Sequence, residues 1–471
     1  MAPTYDLAIL GGTVVAAGRE QRATIAIANG AISAVLAPHE RPVAARVIDA
    51  RGLHVLPGII DTHVHTRHPG VAEREDFRSG TAAAAAGGVT TLFEMPISKV
   101  PANSGAAVRR RVEAMEPQAL IDFALYGGAG HENLDEIASQ AEAGVVAFKT
   151  FLQPPPPGRL DEFRGLWCTD ESSLRHVMDR VRRTGLRHCF HCEAAGMYAA
   201  LQAHLETLGQ VTGRAHAASR PTVVEEVSVA IVLVLAAEQG LSVGIVHASS
   251  PRSVRLAADA RARGVDVTVE TCPPYLFFTE EALDRLGPFA KCNPPLRSAT
   301  DQDGLWEAVR DGLVAYIGTD HSPFLAEEKA MGDANIFRAP PGLCGLEVFV
   351  PLMLTAVHDK RLSLTRMAAL CAEEAALVFR LSSKGRLTPG ADADVTIVDA
   401  AHAWTYDASR AVTRSGGNMA IYDGFQMHGR VVHTLVRGAS VFEEGEVVGA
   451  PGHGHFVRPE RELPLSVSPQ A

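Results

Sequence analysis

From residue 57 to about residue 379 the sequence alternates short apolar runs with stretches of helical length, and no other feature constrains the fold as strongly. Apolar runs occupy residues 54–65, 88–94, 121–126, 145–151, 186–192, 241–247, 265–270 and 313–320. Helical patterns at 81–87, 106–115, 171–184 and 253–263 fall between them. A strand covered on both faces reads as a nearly continuous apolar run, as these do. Eight of them in strand–helix alternation predict an α/β protein built on a (β/α)8 TIM-type barrel.

The chain ends have a different texture. Leu7-Ala8-Ile9-Leu10, Thr24-Ile25-Ala26-Ile27 and Ile32-Ser33-Ala34-Val35 are separated by Gly11-Gly12 and Asn29-Gly30, and Asn-Gly between apolar runs signals a hairpin. Strand patterns return at residues 393–398 and 431–436. The expectation is a small β-sandwich domain from both ends, residues 1–56 with 386–471, attached to a barrel of residues 57–385. A chain of 471 residues is long enough for both units.

Composition excludes several function classes. A formal charge of −10 argues against a nucleic-acid partner, which calls for a basic face. The seven cysteines are scattered and odd in number, so a reduced, cytoplasmic protein is expected rather than a disulfide framework. The first ten residues lack a basic stretch followed by an apolar one, so no secretory leader is expected. The longest apolar run, residues 227–237, is too short for a bilayer and reads as a core helix; no membrane association is expected.

Functional groups of such barrels collect where strands end. Here the ends of runs one, four, five, six and eight carry His63 and His65, Lys149, His191, His247 and Asp320. Side chains alternate along a strand, so Asp61, His63, His65 and Arg67 are expected on one face, with two imidazoles placed to share a metal ion. Lys149 lies within the apolar run Val145-Val146-Ala147-Phe148-Lys149-Thr150-Phe151. Burial lowers the pKa of such an amine, and a neutral amine can capture carbon dioxide as a carbamate that bridges two metals. Cys189-Phe190-His191-Cys192 has the spacing of a zinc pair, but no second cysteine pair accompanies it. A strand would also send Cys189 and Cys192 to opposite faces.

Together, Asp61-Thr62-His63-Val64-His65, Ala147-Phe148-Lys149, His191-Cys192-Glu193, Val246-His247-Ala248-Ser249-Ser250 and Gly318-Thr319-Asp320-His321-Ser322-Pro323 resemble the binuclear amidohydrolase superfamily. Within it the chain is similar to the cyclic amidohydrolases: dihydroorotase, allantoinase and hydantoinase/dihydropyrimidinase. The likeness extends to Gly385-Arg386-Leu387-Thr388-Pro389-Gly390, which resembles the family's return into its small β-domain. It implies hydrolytic, reversible opening of a cyclic amide C–N bond in a small ureide or imide. It also implies two divalent metal ions, usually zinc. His63, His65 and Asp320 would hold one, His191 and His247 the other, with carbamylated Lys149 between them. Asp320 would double as the proton shuttle. A homo-oligomer, dimer or tetramer, is expected. Loss of the metals would leave a non-catalytic scaffold, and retention of every ligand position argues against that.

The ring is less firmly indicated. Arg67 matches the carboxylate-binding arginine of dihydroorotases, and Lys291-Cys292-Asn293-Pro294-Pro295 and Ala339-Pro340-Pro341-Gly342 resemble their substrate loops, giving Arg67, Asn293 and Gly342 as candidate substrate residues. Against this, Ile97 in Glu94-Met95-Pro96-Ile97 replaces the asparagine of that family, and the segment 148–170 leans towards allantoinase. No tyrosine occurs between Lys149 and Asp170, unlike hydantoinases. The order expected is dihydroorotase-like, then allantoinase, then hydantoinase. Residues 153–169 are a candidate lid over the mouth.

Overall fold

The structure is a computed structural model that describes residues 5–16 and 18–460. Eight parallel strands, Ile59–Val64, Val89–Glu94, Asp122–Gly128, Ala147–Phe151, His188–His191, Val243–Ile245, Val267–Thr271 and Tyr316–Ile317, pair in sequence order. The ring closes through a parallel bridge between Val64 and His321, where the His65 N–H donates to the His321 carbonyl at 2.7 Å. The barrel is therefore as the sequence predicts, with shorter strands. The last one, expected over 313–320, pairs regularly only at Tyr316–Ile317. Beyond it the Thr319 N–H is spent on the Asp61 carboxylate, 2.9 Å away, rather than on a neighbouring strand.

Helices between the strands start where a side chain caps them. Asp76, Ser104, Asp170 and Ser250 accept from the first turns of Phe77–Ala86, Gly105–Met115, Glu171–Arg182 and Pro251–Ala262. The first begins four residues before the apolar pattern does, because Asp76 and Ser79 form a reciprocal cap. The apolar run 227–237 lies in helix Thr222–Gln239, which buries Val224, Val229, Val232 and Leu233 but turns Val223, Val227 and Val234 outward. It is a covering helix with one face towards the barrel, not one enclosed on all sides. Among the described residues no helix is long and apolar enough to cross a membrane.

Strands from both chain ends form one mixed sheet of nine. Val395–Thr405 pairs antiparallel with His54–Pro57, which pairs parallel with Tyr5–Ala16. The sheet surrounds its own core, including Ile9, Ile25, Ile27, Val55, Val395 and Leu435.

Below the strand ends the barrel interior is filled. Phe379, from the segment after the last strand, meets Phe93, Tyr316 and Tyr126 edge-on at 5.0, 5.3 and 6.1 Å between ring centroids. These rings close the bottom of the barrel, so polar chemistry is confined to the opposite end.

Candidate active site

The first strand sends His63 and His65 to the open end of the barrel. Asp61, expected beside them, has another task. Its Oδ1 accepts the His63 and Thr319 N–H groups at 3.1 and 2.9 Å, and Oδ2 accepts the Thr319 hydroxyl at 2.6 Å. It ties the first strand to the last, and burial pushes its carboxyl up to about 6. Just beyond that tie Asp320 adopts φ +51°, a left-handed conformation a non-glycine residue holds only when its surroundings enforce it. The turn brings Asp320 Oδ1 to 3.3 Å from Nε2 of both His63 and His65. The three donor atoms lie within 4.8 Å of one another.

The other candidates converge on the same place. His247, also left-handed at φ +40°, has its ring 5.2 Å from that of His63 and 4.7 Å from that of His191. His191 Nδ1 and His247 Nε2 are 3.0 Å apart. Lys149 is fully buried, with its Nζ 5.3 Å from the centre of the Phe151 ring. All six residues named from the sequence, His63, His65, Lys149, His191, His247 and Asp320, thus gather at one end of the barrel.

Buried polar atoms in native proteins are nearly always paired, and each orphan costs about 1–3 kcal/mol. Here His63 Nε2, His65 Nδ1, Lys149 Nζ and His247 Nδ1 are all buried without a hydrogen-bond partner among the described residues. Burial lowers the pKa of His65 to about 3 and pulls His191, His247 and Lys149 down as well. Neutral imidazoles and a neutral amine are the forms that bind metals and carbon dioxide respectively. The donor set fits divalent metal ions. A second cluster, Asp122, Asp392 and Asp394, does not, because the Lys384 ammonium already lies 2.7 Å from Asp394 and 2.9 Å from Asp392 and also contacts Asp122.

Three supporting residues were not singled out from the sequence. Glu270, at the end of run seven, accepts from His63 Nδ1 at 2.7 Å, the Thr62 hydroxyl at 2.7 Å and the His247 N–H at 3.1 Å. One carboxylate thus orients both halves of the histidine cluster. Its position at the end of an apolar run was the same signal that marked the other groups. Glu193 accepts from His191 Nε2 at 2.9 Å and pairs with Arg220 at 2.7 Å. Arg220 stacks over Tyr198 at 3.7 Å. It comes from a different helix–helix connection, so no local pattern could have linked it to His191.

The candidate substrate residues are placed less simply. Arg67 does not continue the alternation of the first strand. Its φ of +58° turns it aside, and its guanidinium donates to the Pro323 carbonyl at 2.9 Å and to the Ser322 hydroxyl, stacked over Phe324 at 4.4 Å. Gly342 packs against the same serine: a Cβ there would lie 2.6 Å from Ser322 O and Oγ. Asn293 joins them through the neighbouring Lys291 carbonyl, which accepts the Gly342 N–H at 2.9 Å, and its own Oδ1 is buried without a partner. Ile97 packs with Phe151, Phe163 and Leu166. The last two belong to residues 153–169, and two backbone hydrogen bonds to Phe151, at 2.8 and 3.0 Å, pin the far half of that segment to the fourth strand.

Comparison with known proteins agrees with this fold. The amidohydrolase family pattern matches residues 54–441. An allantoinase of Rubrobacter xylanophilus is 40% identical over 460 residues, which span 97% of this chain and 98% of that protein. An L-hydantoinase of Paenarthrobacter aurescens is 34% identical, covering 96% and 98% of the two chains. Among solved structures, the L-hydantoinase (dihydropyrimidinase) from Arthrobacter aurescens superposes with a TM-score of 0.91 at 33% identity, covering 96% of this chain and 100% of that one.

Proposed function

Because this chain belongs to the amidohydrolase family, we propose that it opens the ring of a small cyclic ureide by metal-dependent hydrolysis of an amide C–N bond, with allantoin as the preferred ring. The observation that carries the chemistry is the convergence of four buried histidines, a buried lysine and Asp320 around nitrogen atoms that have no hydrogen-bond partner among the described residues. His63, His65 and Asp320 would hold one divalent ion, zinc being the first choice for this donor set, and His191 and His247 a second. Lys149, as its carbamate, would supply the carboxylate between them.

Divalent ions held in this way lower the pKa of bound water towards neutrality and polarise a carbonyl. The chain's own residues do the rest. Glu270 and Glu193 accept the outward N–H groups of His63 and His191, which leaves a lone pair on the opposite ring nitrogen of each. Asp320 takes a proton from the attacking water and passes it to the departing ring nitrogen. The products are a carboxylate and a urea or amide nitrogen.

Allantoin is placed ahead of dihydroorotate for three reasons. The relatives cited carry the names allantoinase and hydantoinase. Arg67, the basis of the dihydroorotase-like expectation, has its guanidinium committed to Ser322, Pro323 and Phe324. Ile97, where that reading needs an asparagine, sits in an apolar cluster. Hydantoins are the second reading, favoured by the L-hydantoinase likeness. A ring-opening assay on allantoin, dihydroorotate, hydantoin and dihydrouracil tests the order. Turnover of allantoin above the others is expected, and turnover of dihydroorotate alone would overturn it.

A further inference from the structure

Two lysines next to the substrate loops are buried without an acidic partner among the described residues. Lys291 is 5% exposed and Lys329 is 0% exposed. Lys291 Nζ donates to the Ile336 and Ala339 carbonyls at 2.8 and 2.7 Å. Lys329 Nζ donates to the Gly342, Lys291 and Pro340 carbonyls at 2.9, 3.0 and 3.2 Å. Burying an ammonium without a counter-charge is costly, and here it brings both lysines down to about 7. An ammonium has three donors, so it can hold several carbonyls at once, and a charged donor bonds them more strongly than a neutral one.

The carbonyls chosen are those flanking the candidate substrate residues. Around Asn293, the Lys291 carbonyl accepts from Lys329 and Gly342, the Cys292 carbonyl from His216 at 2.9 Å, and the Pro294 carbonyl from Tyr275 at 2.9 Å. With its surroundings so fully bonded, the Asn293 amide oxygen is nonetheless buried and unpartnered. On the other loop, Leu343 follows Gly342 and bridges in parallel to His321, the residue after Asp320. The two ammonium groups therefore stitch the Asn293 loop to the Gly342 loop, and the Gly342 loop lies alongside the end of the last strand.

We propose that Lys291 and Lys329 are positioning residues: an ammonium–carbonyl clamp that fixes the backbone at Asn293 and Gly342 and so sets the affinity for the ring substrate. The clamp rests on the ring-opening function proposed above. It acts on binding, since neither lysine touches the histidine cluster.

The test uses the metal-loaded full chain with Lys329→Met and Lys291→Met. KM for allantoin should rise about tenfold or more, the range for losing charged hydrogen bonds, while kcat and metal content stay near those of the unaltered protein. Amide hydrogen exchange over residues 336–343 should accelerate. Lys329→Gln, which keeps two donors, should recover part of both effects, and it decides on the same measurements should Lys329→Met fail to fold. Unchanged KM and exchange would overturn the clamp. So would kcat and metal content falling in step with KM, which marks a general structural role. If the unaltered protein opens no cyclic ureide, the proposed function fails, while the exchange measurement still judges the clamp.

Discussion

Nδ1 of His191 lies 3.0 Å from Nε2 of His247, and the opposite nitrogen of the His191 ring meets a Glu193 oxygen at 2.9 Å. The Glu193 bond favours the tautomer with its proton on Nε2, which turns an unprotonated Nδ1 towards His247. Glu193 is itself anchored by Arg220. Glu193→Gln keeps the shape but removes the charge that favours this tautomer. It should weaken one of the two proposed metal sites by about 10- to 100-fold while the other is retained. Competition with a chelator measures this, and equal affinity at both sites in the variant would refute it.

Lys149 is the group with the most specific expectation. Burial lowers the pKa of its amine, which has no hydrogen-bond partner among the described residues, and it should carry a carbamate in the loaded protein. Lys149→Ala should abolish most activity, and short carboxylic acids that fill the gap should restore part of it. A Lys149→Ala variant with full activity would remove the bridge from the account.

Asp320 is held in a left-handed turn by the Asp61–Thr319 tie, so its carboxylate has little freedom. Asp320→Asn preserves the shape and cannot accept a proton. A fall in kcat of about two or more orders of magnitude is expected with the melting temperature little changed. Near-normal kcat would place the proton transfer elsewhere.

Arg67→Met separates the two views of that residue. A carboxylate-binding arginine would matter only for a charged ring. The guanidinium seen here braces the loop that carries Ser322 and Pro323 directly after Asp320. The variant should therefore depress turnover of allantoin and hydantoin to a similar extent and lower thermal stability. Selective loss with a carboxylated ring would restore the dihydroorotase reading.

The contrast between Arg67 and His65 shows what was legible in the sequence. Both were assigned by strand alternation, which holds through His65 and then stops where the backbone turns to positive φ at Arg67. Residue types at the ends of apolar runs located all six members of the central cluster, because a parallel barrel delivers strand ends to one place whatever the loops do. Glu270 followed the same rule and was passed over. Arg220, Lys291 and Lys329 could not be read, since their roles depend on loops distant in sequence folding onto one another. The carbonyls that the lysines hold leave no mark in the residue pattern. The helix 222–239 was legible as a helix, but its apolar character did not reveal which residues would turn outward.

The central claim is that this barrel end is a two-metal centre that opens a cyclic ureide. It is tested most directly by measuring allantoin ring opening together with divalent metal per chain, in protein as purified, after chelation, and after reloading with zinc. The account predicts close to two ions per chain, activity that disappears as they are removed, and recovery on reloading. Full ring-opening activity in protein stripped of metal would contradict it.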